Sequence, residues 1–290
     1  MLSKFQIRVE RLIRRMRVRR CPVPFVMLFR ERSGSTHLCT LLDSHPDILC
    51  RTEDFDNRRL NDSGDGHCEL DTDQSKHRLM TAFKKGKIVN PKPVRVRQHL
   101  HNIYSFPLTA CGFKWKFPGQ VNAYPELRDE LHFIGGQLRI LALTRKNVLK
   151  QSVSRQNMRR SALANWRFHG QQERPSKLSS HEPFHVDVDK TVSYARFLLR
   201  SQEAFQQCVE SFECVSNRPA LQLDYESLMN ERSRTLREIF QFLEVSPDVE
   251  VASETVKMTP DCLRTIILNF DQLAKAVAGT ELEPMLESEA

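Results

Sequence analysis

Short apolar runs alternate with stretches of helical spacing along this chain. Pro24-Phe-Val-Met-Leu-Phe29 is a compact apolar run, which predicts a buried parallel strand. The polar segment Arg30-Glu-Arg-Ser-Gly-Ser-Thr36 reads as a loop of mostly small residues, and His37 to Asp43 as a helix. Further strands are expected at Asp47–Cys50, Cys111–Phe117, Leu138–Thr144 and Ala220–Leu223. Helices are expected from Asn147 to Phe168, over 190–215 (Val192, Ala195, Leu198, Leu199 and Phe205 on or near one face), over 231–244 and over 260–277. Residues 54–80 are polar and irregular, and 170–188 are rich in Gln, Pro, Ser and His; both read as loops. Strands alternating with helices predict an α/β domain, with a mainly parallel central sheet flanked by helices.

The strand at 111–117 carries a second pattern. Lys114 and Lys116 alternate with Phe113, Trp115 and Phe117. Alternate side chains on a strand share a face. The two lysines therefore point one way, to a polar cleft or an exposed edge, and the three aromatics point to a core.

Composition changes the picture in three places. The 290 residues are enough for one large domain with its own core. There is no apolar run long enough to span a bilayer, and no secretory pattern follows the basic N-terminus, so a cytoplasmic location is expected. The net charge of +8 is concentrated. Residues 1–20 hold Lys4, Arg8, Arg11, Arg14, Arg15, Arg17, Arg19 and Arg20 against Glu10, leaving the rest of the chain close to neutral. A nucleic-acid-binding domain would carry its basic stripe on the folded body. The basic residues share residues 1–22 with Phe5, Val9, Leu12, Ile13 and Met16 at helical spacing, ahead of Pro22 and Pro24. Such an amphipathic segment is suited to a peripheral membrane contact, or to packing on the body formed by 23–290. Eight scattered cysteines without CxxC pairs suggest mostly buried thiols rather than a disulfide framework. No metal site is expected, because His99 and His101 alone fall at ligand spacing and lack partners nearby.

The strand–loop–helix at 24–43 is the first chemical clue. A helix N-terminus offers unpaired N–H groups and a partial positive charge, and small residues let the backbone approach an anion. Ser33, Gly34, Ser35 and Thr36 supply backbone donors and hydroxyls, and Arg32 a forked cation. No lysine precedes Thr36, so this is not a triphosphatase loop. The alternative is a simple helix cap by Ser33 or Ser35.

Arg30-Glu-Arg-Ser-Gly-Ser-Thr-His-Leu38, followed by Leu41-Leu-Asp-Ser-His-Pro46, resembles the 5'-phosphosulfate loop of sulfotransferases that use 3'-phosphoadenosine 5'-phosphosulfate (PAPS). The likeness is to carbohydrate and bacterial-type members. Leu141-Ala-Leu-Thr-Arg-Lys-Asn-Val-Leu-Lys-Gln-Ser-Val-Ser154 is similar to that family's 3'-phosphate site, an arginine at a strand end and then a serine on the next helix. Asp224-Tyr-Glu-Ser-Leu228 and Leu268-Asn-Phe-Asp-Gln-Leu273 resemble the C-terminal half.

This resemblance implies a P-loop-like sulfotransferase fold over residues 23–290. It implies transfer of a sulfuryl group from PAPS to a hydroxyl on a carbohydrate, glycolipid or small alcohol, without a metal. It implies donor contacts from Arg32, Ser33, Gly34, Ser35, Thr36, His37 and Arg145, with Ser154 or Ser152 at the 3'-phosphate. Glu53 is the expected base, with Asp54 its neighbour and rival, and pairing of Glu53 with Arg51 or Arg58 the alternative. Lys114 would neutralise charge on the phosphosulfate or acceptor. A reading from a different class makes the chain an anion-binding module docked to a membrane or partner by residues 1–20.

Overall fold

The computed structural model describes residues 23–51, 100, 103, 104, 106–119, 131, 137–168, 182–253, 255, 260 and 262–287, with the backbone alone for 161–168. The expected amphipathic segment at 1–22 and the expected loop at 54–80 lie outside the described residues, as does most of 170–188.

Five parallel strands form one sheet in the order β2-β3-β1-β4-β5. They are β1 (Val23–Arg30), β2 (Ile48–Arg51), β3 (Ala110–Phe117), β4 (Arg139–Thr144) and β5 (Leu221–Asp224). Each expected strand is present, shifted by a residue or two. The central strand β1 is buried at all eight positions, as an apolar run covered on both faces requires.

The alternation along the strands sorts two cores. Val26, Leu28, Phe113, Trp115, Ile140 and Ala142 face Phe205, Val209 and Phe212 of helix α4 (Gln202–Ser216). Phe25, Met27, Phe29, Leu141 and Leu143 face α1 (Ser35–Asp43) and α6 (Arg232–Phe242). Where β1 and β3 run closest, Gly112 is opposite Phe25. A side-chain carbon there would stand 2.4 Å from the Phe25 carbonyl oxygen, so this position requires glycine. A third cluster joins α2 (Val148–Phe168), α3 (Val188–Arg200) and α7 (Phe270–Val277) through Leu149, Val153, Ala195, Leu198 and Leu273.

Two helical expectations are corrected, and one helix is added. The single helix over 190–215 is two, α3 and α4, broken at Ser201. Arg30 at the end of β1 reaches this break and donates to the Leu198 carbonyl and to Ser201 Oγ (3.0 Å). The expected helix over 260–277 is only α7, preceded by a short 3₁₀ turn at Leu263–Thr265. Between them Ile267 pairs with Phe184: Phe184 N donates to Ile266 O (2.8 Å) and Leu268 N to Phe184 O (3.0 Å). The added helix is α5 (Tyr225–Asn230), capped by the Asp224 carboxylate on Ser227 N (2.8 Å).

Among the described residues no helix is long and apolar enough to cross a membrane. Of the six described cysteines, Cys39, Cys50 and Cys111 are buried, Cys208 is half-buried, and Cys214 and Cys262 are exposed, so burial holds for only part of the set. Burial pushes the Cys50 thiol well above its ordinary value, which makes it a poor nucleophile.

Candidate functional site

The sheet order places a topological switch beside β1. The chain leaves β1 for β2 and β3 on one side and then crosses to β4 on the other. Open α/β sheets bind ligands at the carboxyl ends of the strands flanking such a point. Here the flanking segments are the loop 31–34 after β1 and the loop 145–147 after β4.

The loop after β1 turns sharply. Ser33 N bonds back to the Arg30 carbonyl (3.2 Å). Arg32 has φ 65° and Gly34 has φ 85°. Gly34 is the cap residue of α1, and no side chain caps that helix among the described residues, so neither Ser33 nor Ser35 acts as the simple side-chain cap considered from the sequence. The Ser33 hydroxyl is fully buried and has no hydrogen-bond partner among the described residues. A buried hydroxyl without a partner is costly, and a ligand oxygen at this helix terminus would satisfy it. Thr36, in the first turn of α1, accepts a hydrogen bond from Lys114 Nζ at 2.9 Å.

Lys114 is 3% exposed and its ammonium lies 5.3 Å from the centre of the Phe29 ring. β2 pairs with β3 only as far as Phe113, so burial distinguishes the two lysines: Lys114 is buried, against the exposed-edge alternative, while Lys116 is half-buried. Phe113 and Trp115 point to the opposite core, as alternation requires.

The second motif meets the first directly. Arg32 donates from Nε and Nη2 to Ser154 Oγ, both at 3.1 Å. The Ser154 oxygen accepts both, which leaves its own proton for another acceptor. Ser152 lies on another face of α2 and donates to the Thr191 carbonyl (2.8 Å). The two serines, left as alternatives by the sequence, are thus placed differently, and only Ser154 faces the loop. Arg145 follows β4 and packs its guanidinium 4.5 Å from the centre of the Tyr225 ring. That ring also packs against Gly34, where an added carbon would come within 2.3 Å of it. His37 points elsewhere in part: its Nδ1 lies 2.8 Å from Thr255 Oγ1, in a chain of hydroxyls with Ser253 and Thr40. Glu53 and Asp54 lie outside the described residues.

The sequence assigned the 3'-phosphate to the side chains of Arg145 and a serine of α2, and the N-terminal amides of α2 are engaged elsewhere. Glu226 of α5 already accepts from Lys146 N and Asn147 N, both at 3.0 Å, and Asn147 Oδ1 accepts from Lys150 N (2.7 Å). Those amides are taken, so an anion here would be held by side chains. Tyr225 and Glu226 were present in the motif at 224–228, but nothing in their spacing announced that they would reach back to Gly34 and α2. The Asp224 carboxyl lies below its ordinary range: burial pushes it up, but hydrogen bonds from Ser227 and the nearby Lys146 outweigh that.

The arrangement gathers Arg32, Arg145, Lys114 and several hydroxyls around the α1 N-terminus. Clustered cations, a helix terminus and unclaimed donors suit a polyanion. No group of three or more His, Cys, Asp or Glu side chains is placed to hold a metal ion among the described residues.

Fold and site together define an α/β domain with a cationic cleft of the anion-binding type at the carboxyl ends of β1 and β4. Residues 107–261 match the family described as Stf0 sulphotransferase, and the chain belongs to that family. No curated protein matches the chain. The crystal structure of a sulfotransferase from Alicyclobacillus acidocaldarius is similar over 92% of this chain and 96% of that one, at 16% identity and a TM-score of 0.44, a likeness too loose to carry anything further.

Proposed function

We propose that this sulfotransferase uses PAPS as donor and delivers the sulfuryl group to a hydroxyl acceptor. The observation that supports this most is the contact between Arg32 and Ser154. It joins the loop that resembles a 5'-phosphosulfate site to the helix that resembles a 3'-phosphate site. A donor with phosphate at both ends of one nucleoside matches two adjacent anion subsites better than a triphosphate does.

The chain's own residues take three tasks. Ser33, the amides at the start of α1 and Arg32 hold the 5' side. Arg145 and Ser154 hold the 3'-phosphate. Lys114, fixed by Thr36, stabilises the negative charge that grows on the departing phosphate. The acceptor oxygen forms a new bond to sulfur as the bond from sulfur to the phosphate oxygen breaks, and the bisphosphate leaves with that electron pair. The acceptor proton goes to Glu53, which follows β2 in sequence and is the proposed base. The acceptor is proposed as a carbohydrate, a glycolipid or a small alcohol, and the location as the cytoplasm, with residues 1–20 as a peripheral membrane contact.

Isothermal titration with adenosine 3',5'-bisphosphate and with ATP tests the donor. Micromolar binding of the first alone is expected, and preference for ATP would overturn the reading. Glu53→Gln tests the base. Turnover should fall by about 10²–10⁴, while affinity for the bisphosphate stays unchanged.

A further inference from the structure

The loop after β1 is held in an unfavourable backbone conformation by one face of α2. Arg32 has φ 65°, in the left-handed region that a residue with a side chain enters at a cost. Three residues of α2 meet this loop. Gln151 Nε2 donates to the Glu31 carbonyl (2.5 Å), Ser154 accepts from Arg32, and Arg155 Nε lies 3.3 Å from the Glu31 carboxylate. Positions 151, 154 and 155 are spaced i, i+3 and i+4, so they share one helix face. Gln151 is 1% exposed and sits in the first turn of α2. Its bond lands on the peptide unit that links Glu31 to Arg32. That peptide's orientation is set by the Glu31 ψ and Arg32 φ angles, so fixing its oxygen fixes the entry to the left-handed residue.

We propose that Gln151 is a positioning residue. By holding the Glu31 carbonyl it keeps Arg32 left-handed and its guanidinium aimed at Ser154, so the helix of one phosphate subsite shapes the loop of the other. This rests on the reading above that loop and helix bind one donor. Gln151 itself touches no reacting atom in this scheme. Arg155 acts beside it on the Glu31 side chain. The Arg155 guanidinium is also braced 3.9 Å from the centre of the Tyr194 ring, so that contact comes from a rigid support.

The test is a double-mutant cycle that separates backbone from charge. Arg32→Ala and Arg32→Gly both remove the guanidinium, but only glycine removes the left-handed penalty. Gln151→Leu is placed in the wild type and in each of these two backgrounds. Affinity for adenosine 3',5'-bisphosphate and melting temperature are measured for all six proteins. Gln151→Leu should weaken affinity about five- to tenfold in the wild type, by less in the alanine background, where no guanidinium is left to aim but the left-handed penalty remains, and under about twofold and least of all in the glycine background. Equal losses in the alanine and glycine backgrounds, or no loss in the wild type, would overturn the proposal. If the wild type binds no bisphosphate, the donor reading fails on its own. The melting temperatures then decide the positioning role, since Gln151→Leu must still cost less with glycine at 32. Should Gln151→Leu fold poorly, Gln151→Glu keeps the shape, replaces the donor with an acceptor facing the carbonyl, and must show the same dependence on residue 32.

Discussion

Gly34 carries two constraints that no other residue satisfies. Its φ of 85° lies in the left-handed region, and an added side-chain carbon would stand 2.3 Å from the Tyr225 ring. The first constraint costs about 1–2 kcal/mol for alanine, and the overlap adds to it unless the ring moves. Gly34→Ala should therefore lower the melting temperature by several degrees, about 5 °C or more. Tyr225→Ala in the same chain should recover the part due to overlap but not the part due to φ, which thermal denaturation of the two single variants and the double variant resolves. His45 belongs to the Ser-His-Pro turn that the family resemblance puts at the end of α1. Fully buried against Phe240, it accepts from Asp47 N at Nδ1 (3.1 Å), and its Nε2 lies 3.1 Å from the Ser246 carbonyl. It closes the α1–β2 turn, and its contacts there are structural.

At the scale of elements, the β5–α5 junction ties the two halves of the site together. Asp224 ends β5, caps α5 through Ser227 and pairs with Lys146 (3.1 Å), while Glu226 two residues on caps α2. The folded state holds the Asp224 carboxyl below the value it has in the unfolded chain. Its contribution is therefore complete above the ordinary Asp range, about 3.9, and is lost as pH falls from there through the lower folded value. Asp224→Asn should be less stable than the wild type at neutral pH by under about 1 kcal/mol, because asparagine still caps and the lysine is exposed. That difference should close on acidification below about pH 3.9. Melting curves of both proteins across this range check it, and a gap that widens in acid would contradict the assignment. Elements also show why helix lengths misled. Val192 to Phe205 has continuous helical spacing, and 260–277 is equally permissive, yet the first breaks at Ser201, where Arg30 from β1 docks, and the second gives way at Ile267, which pairs with Phe184.

Across the whole molecule, charge rather than an ion is expected to do the electrostatic work. Arg32, Arg145 and Lys114 come from three separate segments and converge beside the N-terminus of α1, next to the edge where β1 separates β3 from β4. A cationic site preorganised in this way would stabilise the leaving bisphosphate of the proposed donor without a bound metal. Sulfuryl transfer should accordingly persist in EDTA at full rate, as an assay with labelled PAPS and any working acceptor would reveal. Loss of activity in EDTA, restored by magnesium, would assign that task to an ion instead.

What the sequence determined by itself follows from local patterning. A continuous apolar run such as Pro24–Phe29 can only be satisfied by burial on both faces, so the strands, the α/β class and the position of the loop before α1 were legible. So was the split of Lys114 from Phe113 and Trp115, because a strand has a period of two. The motifs around Arg32 and Arg145 pointed to two anion subsites and to a sulfotransferase family, and a sulphotransferase family model matches residues 107–261. Tertiary structure alone decided which serine faces the loop, that Glu226 occupies the amides of α2, and that Gln151 and Tyr225 brace the loop from either side. Each of these is a contact between segments far apart in the chain. Residue type and spacing specify the face on which a side chain lies. The partner it meets there is set by the order in which the strands are laid side by side, and that order leaves no mark on any single segment.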